Sequence, residues 1–504
     1  MKKMYLFILA FLMLLPLSLL AQTDSEIAEA RLNDDTKIAK KEKKKKEKNP
    51  DGVRTGWTFG ILPSVAFDAD LGFQYGVLSN VYYFGDGSTY PDYMHSLYFE
   101  AAYTTKRYGL FRFAYDSKYL IPKHRFSFDA TFIPDAMSDF QGYNGYQSVY
   151  NDNWRNSKKY SVADGYKTRA FYKYKRDLLR IAADVSGTIQ GKWKWATGIG
   201  LLGYWTGSVD IEMMNKGKKD TQKFLDKNHG NSKLLSDTTD GLYEKYVKWG
   251  IINSNEATGG IHPYLRAGFV YDSRNKQANA SKGMYADAFF TYSAAFGKMK
   301  EYNNLKFNMV FQHYVPVYKD YITFAYRAGA QLLVAGNSPF YMDSYLNALY
   351  YQRVLYEAVG GANSVRGLIR NRVLADGFGY ATAEFRFKVW KFNIKKEHFY
   401  IAFNPFCDMG IVLQPNTLNE ETVRASIVKN DPEFPLSELG NYIKLDKSDK
   451  FDKKELYKPH FGVGVGMKIA MNENFILSVD WAMPVDKRDN ASMSNIYIKM
   501  GYLF

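Results

Sequence analysis

From about Thr55 to Phe504 the chain alternates with period two, and its polar positions carry charge again and again. Phe126, Phe128, Ala130 and Phe132 alternate with Arg125, Ser127, Asp129 and Thr131. Leu305, Phe307, Met309 and Phe311 alternate with Lys306, Asn308, Val310 and Gln312, and Ala383, Phe385, Phe387 and Val389 with Glu384, Arg386 and Lys388. Successive side chains of a strand point to opposite faces, so each stretch has an apolar side and a charged side. A soluble sandwich would bury one side as a dry core. A charged side that recurs in strand after strand fits the watery lumen of a transmembrane β-barrel whose apolar side meets lipid. Composition agrees: the chain is polar on average yet 17% aromatic, with 41 Tyr and 35 Phe, as aromatic girdles at two membrane interfaces require.

The alternation yields sixteen or seventeen strands, with the ambiguity between Tyr166 and Ser208. Long segments at about 134–165, 209–259, 335–375 and 414–459 must all face outward, because outer-membrane barrels keep their periplasmic turns short. Two strands between 166 and 208 satisfy this and three do not. The expected fold is all-β, a 16-stranded antiparallel barrel over 56–504, its last strand presenting Ile496, Ile498, Met500, Tyr502 and Phe504 outward.

Residues 1–21 read as a secretory signal: Lys2 and Lys3, an apolar run from Tyr5 to Leu20, and the small residue Ala21. No cysteine follows that run, which argues against a lipid-anchored N-terminus, and the single cysteine, Cys407, allows no intrachain disulfide. Residues 22–55 read as a disordered periplasmic tether, since Lys40 to Lys48 (KKEKKKKEK) is too charged to bury a core. Most of the net +15 lies outside that tract.

Several chemistries find no support. The histidines at 95, 124, 229, 262, 313, 398 and 460 lack ligand spacing, so no metal or other cofactor is expected. No Gly-x-Ser-x-Gly elbow is present. Gly198 to Gly203 matches a dinucleotide fingerprint by letters, but Tyr204-Trp205-Thr206-Gly207 continues as strand where the motif needs a helix. Gly462, Gly464 and Gly466 likewise read as strand glycines that ease curvature. Neither an enzyme nor a nucleic-acid partner is expected.

Two short motifs narrow the class. Val365-Arg366-Gly367-Leu368 lies in the sixth outer segment, and Phe406-Cys407-Asp408-Met409-Gly410 lies on the thirteenth strand. With Ala383-Glu384-Phe385-Arg386-Phe387 on the twelfth strand and the terminal Phe504, they resemble the barrel of the BamA/TamA outer-membrane insertase superfamily (bacterial surface antigen family). The resemblance implies that the sixth loop folds into the lumen and that Arg366 pairs with Asp408. Phe406 would pack beside the arginine stem, and Gly410 would leave room for the loop. Leu368 stands where the family usually has an aromatic residue. Glu384 and Arg386 either extend the Arg366 network or are ordinary lumen residues. Tyr271-Asp272-Ser273-Arg274-Asn275 with Lys282-Gly283 resembles a family signature at a strand end, where a turn-closing role for Asp272, Arg274 and Gly283 is favoured. Tyr502 and Phe504 would form a C-terminal assembly signal.

The resemblance further implies an outer-membrane protein that assists insertion, assembly or translocation of outer-membrane or surface proteins through a weak seam between its first and last strands. Members of that family carry periplasmic POTRA domains before the barrel, and residues 22–55 are too few to hold one. A passive pore, and an accessory barrel docking a separate periplasmic partner, are the competing readings. Partners would be outer-membrane lipid and client proteins or a periplasmic protein.

Overall fold

The computed structural model describes residues 53–504 except 237–238, 277–278, 344–347, 350–352, 355–356, 396, 446–450 and 473–474. The signal and nearly all of the tether lie outside the described residues.

Sixteen strands close into one antiparallel barrel. The first, β1, has two pieces, Trp57–Pro63 and Ala66–Asp68. Then come β2 (Gly72–Tyr83), β3 (His95–Thr104), β4 (Gly109–Ile121) and β5 (His124–Ile133). Next are β6 (Lys173–Gln190), β7 (Trp193–Gly207), β8 (Gly259–Asp272) and β9 (Gly283–Ser293). These are followed by β10 (Asn304–Tyr318), β11 (Ile322–Gly336), β12 (Gly377–Ile394) and β13 (Glu397–Gln414). The series ends with β14 (His460–Met471), β15 (Phe475–Pro484) and β16 (Asn495–Met500). Two strands, β6 and β7, fill the ambiguous stretch, and the Gly198–Gly203 run sits inside β7. No helix among the described residues is long and apolar enough to cross a membrane.

Neighbours in sequence pair in space, and closure comes from β1 meeting β16. That seam is narrow. The second piece of β1 registers on β16 at Phe67↔Ile498, whereas β15 and β16 register over six pairs and β12 and β13 over fifteen.

Burial follows parity. Along β6 every second residue from Tyr174 to Ser186 is buried, and the others are partly exposed towards lipid. The lumen is filled with paired charges. Arg112 and Arg180 both bond Asp129, each at 2.7 Å, and Arg266 grips Asp184 through two bonds of 2.7 and 2.6 Å.

The segments after β5, β7, β11 and β13 share one aromatic core at the long-loop end. Phe140 meets Tyr246 edge-on at 5.2 Å, Trp154 meets Tyr442 at 4.5 Å, and Trp249 meets Phe434 at 4.8 Å. Trp249 is fully buried and donates to Asp431. Such rings combine large buried area with favourable edge-to-face electrostatics, so the four loops form a packed lid. Glu256 is buried in the lid, accepting from the Phe340 and Asn253 N–H groups, and burial pushes its carboxyl up to about 7.

Residues up to Thr58 together with Tyr83–Tyr93 form a small separate unit. Within it Gly56 exchanges backbone hydrogen bonds with Phe84 and Gly85, and the Trp57 and Tyr83 rings lie 4.7 Å apart.

Candidate functional site

The loop between β11 and β12 runs back into the lumen. Val359, Val365, Leu368, Val373 and Ala375 are fully buried with Phe378, Tyr380 and Val412 on the barrel wall. This apolar grip fixes the loop, and it explains why an aliphatic Leu368 suffices where the family has an aromatic: the side chain fills a pocket rather than stacking.

At its tip Arg366 has no solvent exposure. Its backbone N–H and Nε both donate to Asp408 Oδ2, at 2.9 and 2.8 Å, and Nη2 donates to Asp408 Oδ1 at 3.1 Å. Nη1 reaches Asp480 on β15 at 3.3 Å, and Nη2 lies 3.6 Å from Glu384. The guanidinium stands 3.3 Å from the Phe406 ring centroid. Burying a guanidinium is costly unless charge and hydrogen bonds are both matched. Here Arg366, Arg386 and Lys468 face Asp408, Asp480 and Glu384.

The backbone around the tip leaves no slack. Gly367 has φ +95°, and a Cβ there would lie 2.7 Å from the Met483 backbone. Its carbonyl accepts from Asn490 and Asn495, and its N–H donates to Tyr497. Gly462 on β14 lies under the Arg366 carbonyl, which a Cβ would strike at 1.9 Å. At Gly410 a Cβ would meet Val359, a loop residue, so the room expected there is used.

The structure brings Arg366, Asp408, Phe406 and Glu384 together as expected. Of the two readings for Glu384 and Arg386 it supports the network: Glu384 bridges Arg366 and Arg386. Asp272 and Arg274 form a turn-closing fork, with two bonds of 3.0 Å, far along the chain from this cluster. Gly283 packs against the Ser273 carbonyl, which leaves no room for a side chain.

Tyr502 and Phe504 do not continue the outer face of the last strand. β16 stops at Met500, Gly501 takes φ +88°, and the next three residues turn into the lumen, where all are buried. Arg386 explains the turn. It lies 4.1 Å from the Tyr502 ring centroid and donates to the Phe504 carbonyl at 2.9 Å, while Arg327 lies 5.2 Å from the Phe504 ring. Cation–π contacts of this kind hold aromatic rings in a desolvated site, and the lumen outcompetes lipid for these two.

Sequence reasoning missed Asp480, Lys468, Tyr497 and three further arginines. Arg327 donates to the Asn363 and Ser364 carbonyls, Arg370 bonds Glu357 and Asp135, and Arg372 bonds the Gly145 carbonyl. Parity on β15, which puts Ser478 and Asp480 on the lumen face, was the available signal for Asp480.

A family model, the Omp85 superfamily domain, matches residues 125–504. The chain belongs to the Omp85 superfamily. Among solved structures it is similar to BamA from Haemophilus ducreyi lacking POTRA domains 1–3, at 13% identity and TM-score 0.46, covering 89% of this chain and 70% of that one. It is also similar to CdiB from Escherichia coli, at 10% identity and TM-score 0.48, covering 87% of this chain and 62% of that one. No curated protein matches. As an Omp85 barrel the protein is placed in the outer membrane, with its short turns towards the periplasm.

Proposed function

We propose that this Omp85 barrel assists the insertion, assembly or translocation of outer-membrane or surface polypeptides by parting at its seam, without covalent chemistry. The narrow β1–β16 seam carries this reading. One register pair, Phe67↔Ile498, joins two strands whose neighbours are joined by many. A parted strand edge exposes a row of N–H and C=O groups that an incoming strand can satisfy. The Arg366 cluster anchors loop six to β13 and β15, so it keeps the wall beside β16 rigid while the seam yields. The aromatic lid over the long-loop end weighs against a passive pore.

Locking the seam tests it. Paired residues of adjacent strands have the Cα spacing a disulfide needs. Phe67→Cys with Ile498→Cys, in a Cys407→Ser background, should deplete outer-membrane and surface proteins under oxidising conditions and restore them on reduction. Unchanged protein levels with the disulfide formed would refute seam opening.

A further inference from the structure

Charge is balanced in the middle of the lumen and unbalanced at its short-turn end. The turns and strand ends that frame this mouth from β4 to β13 span residues 116–125, 190–194, 270–283, 316–322 and 388–398. They hold thirteen Lys and Arg against four Asp and Glu, a net +9 (thirteen minus four). The four acids are engaged within the rim: Asp116 with Arg125, Asp272 with Arg274, Asp320 with Lys391, and Glu397 with Asn472.

Parity says what the excess faces. Lys194 shares its face of β7 with buried Ala196, Leu202 and Tyr204, while Trp193 and Ile199 are exposed on the other. Lys388 follows Glu384 and Arg386 on the lumen face, and its Nζ lies 4.9 Å from the centroid of buried Tyr400. At the same height the lipid-facing positions are aromatic: Trp193, Tyr318, Tyr321 and Trp390 are exposed there. Aromatic residues thus take the bilayer interface, and the cations ring the mouth.

We infer that this mouth is a docking surface for an acidic segment of a separate polypeptide. A rim of one sign over a low-dielectric wall focuses its field into the opening and steers an oppositely charged chain towards it. The tether cannot be the occupant, because Lys40 to Lys48 carries the same sign. The inference rests on the barrel and its orientation, and it holds whether or not the seam opens.

The test uses full-length protein in zwitterionic nanodiscs and a fluorescent twenty-residue polyglutamate peptide, with polyglutamine as control. Polyglutamate should bind, polyglutamine should not, and moderate salt should weaken binding about tenfold or more. The rim variant Lys192→Gln, Lys194→Gln, Lys388→Gln, Lys395→Gln should bind about tenfold more weakly while keeping wild-type heat-modifiability on a detergent gel. A full-length variant with the seven tether lysines changed to Gln, and one with Lys158, Lys159, Lys219 and Lys223 changed to Gln at the opposite end, should bind as wild type. Absence of polyglutamate binding overturns the inference, as does equal loss in the opposite-end variant or loss confined to the tether variant. A rim variant that loses affinity for anionic phospholipid vesicles but not for the peptide would make the mouth a lipid surface and overturn it too. The oxidised seam disulfide should leave peptide binding unchanged, so failure of this inference and failure of seam opening are told apart.

Discussion

Arg366 and Asp408 are joined three times, twice through the guanidinium fork and once through the Arg366 backbone N–H. The backbone bond matters because it ties the loop, and not merely a side chain, to β13. Replacing Arg366 by Ala would leave Asp408 and Asp480 buried with most of their counter-charge gone, and removing one partner of a buried pair costs about 3–5 kcal/mol. Arg366→Ala should therefore lower the heat-modifiability midpoint clearly, and a second change, Asp408→Asn, should recover part of the loss. Strictly additive losses in this cycle would mean that the two side chains are not coupled.

Gly462 offers a steric route to the same loop. Its substitution by Ala brings a methyl onto the Arg366 carbonyl, while the β14 ladder to β13 and β15 stays intact. The expected result is loop six displaced from the lumen: new protease cleavage between residues 357 and 376, with the sixteen strands still protected. Full protection of the loop in Gly462→Ala would show that β14 can shift to admit the methyl group.

The inward turn after Met500 is held largely by Arg386. A Leu503→Cys probe, in a Cys407→Ser background, should react slowly with a soluble maleimide, because Leu503 is buried. Adding Arg386→Ala should speed the labelling about tenfold or more, the equivalent of losing one charge-assisted hydrogen bond. Equal rates would place the hold on the tail elsewhere.

Glu256 makes the lid sensitive to pH. Its carboxyl stays protonated in the closed lid up to about 7, against a usual value of 4.5, because burial disfavours the anion. The closed lid then holds more protons than an opened one between those values, so its stability falls as pH rises through that window and levels off above it. The full effect is on the order of 3 kcal/mol. Hydrogen exchange across residues 242–258 and 337–343 should be slower at pH 4.5 than at pH 7.5, and Glu256→Gln should flatten the difference. A pH-independent exchange ratio, after correction for intrinsic rates, would remove Glu256 from the account.

The barrel was legible in the chain because a membrane strand writes its two environments at alternate positions, and β5, β10 and β12 do so without interruption. The loop lengths then set the count at sixteen. The Arg366–Asp408 pair came from motif resemblance, and its placement on β13 from the count. The lumen partners on other strands were hidden, since nothing local in Ser478-Val479-Asp480 tells which of many lumen acids a distant loop will reach. The tail was misjudged for a different reason. Alternation through Tyr502 and Phe504 is perfect, but the glycine between Met500 and Tyr502 lets the backbone leave the strand, and the competing site exists only once Arg327 and Arg386 stand side by side in three dimensions.

The aromatic lid has a consequence for how the cell surface displays this protein. Phe140, Trp154, Trp249, Phe340 and Tyr442 come from four loops and are buried against one another, so none of the four presents its own peptide to the exterior. What an antibody, a phage or a neighbouring cell meets is one composite relief. Immunisation with a single loop peptide would raise sera blind to the native protein. A binder selected on the folded barrel would read several loops at once, and a single substitution deep in the lid would alter epitopes that it never touches.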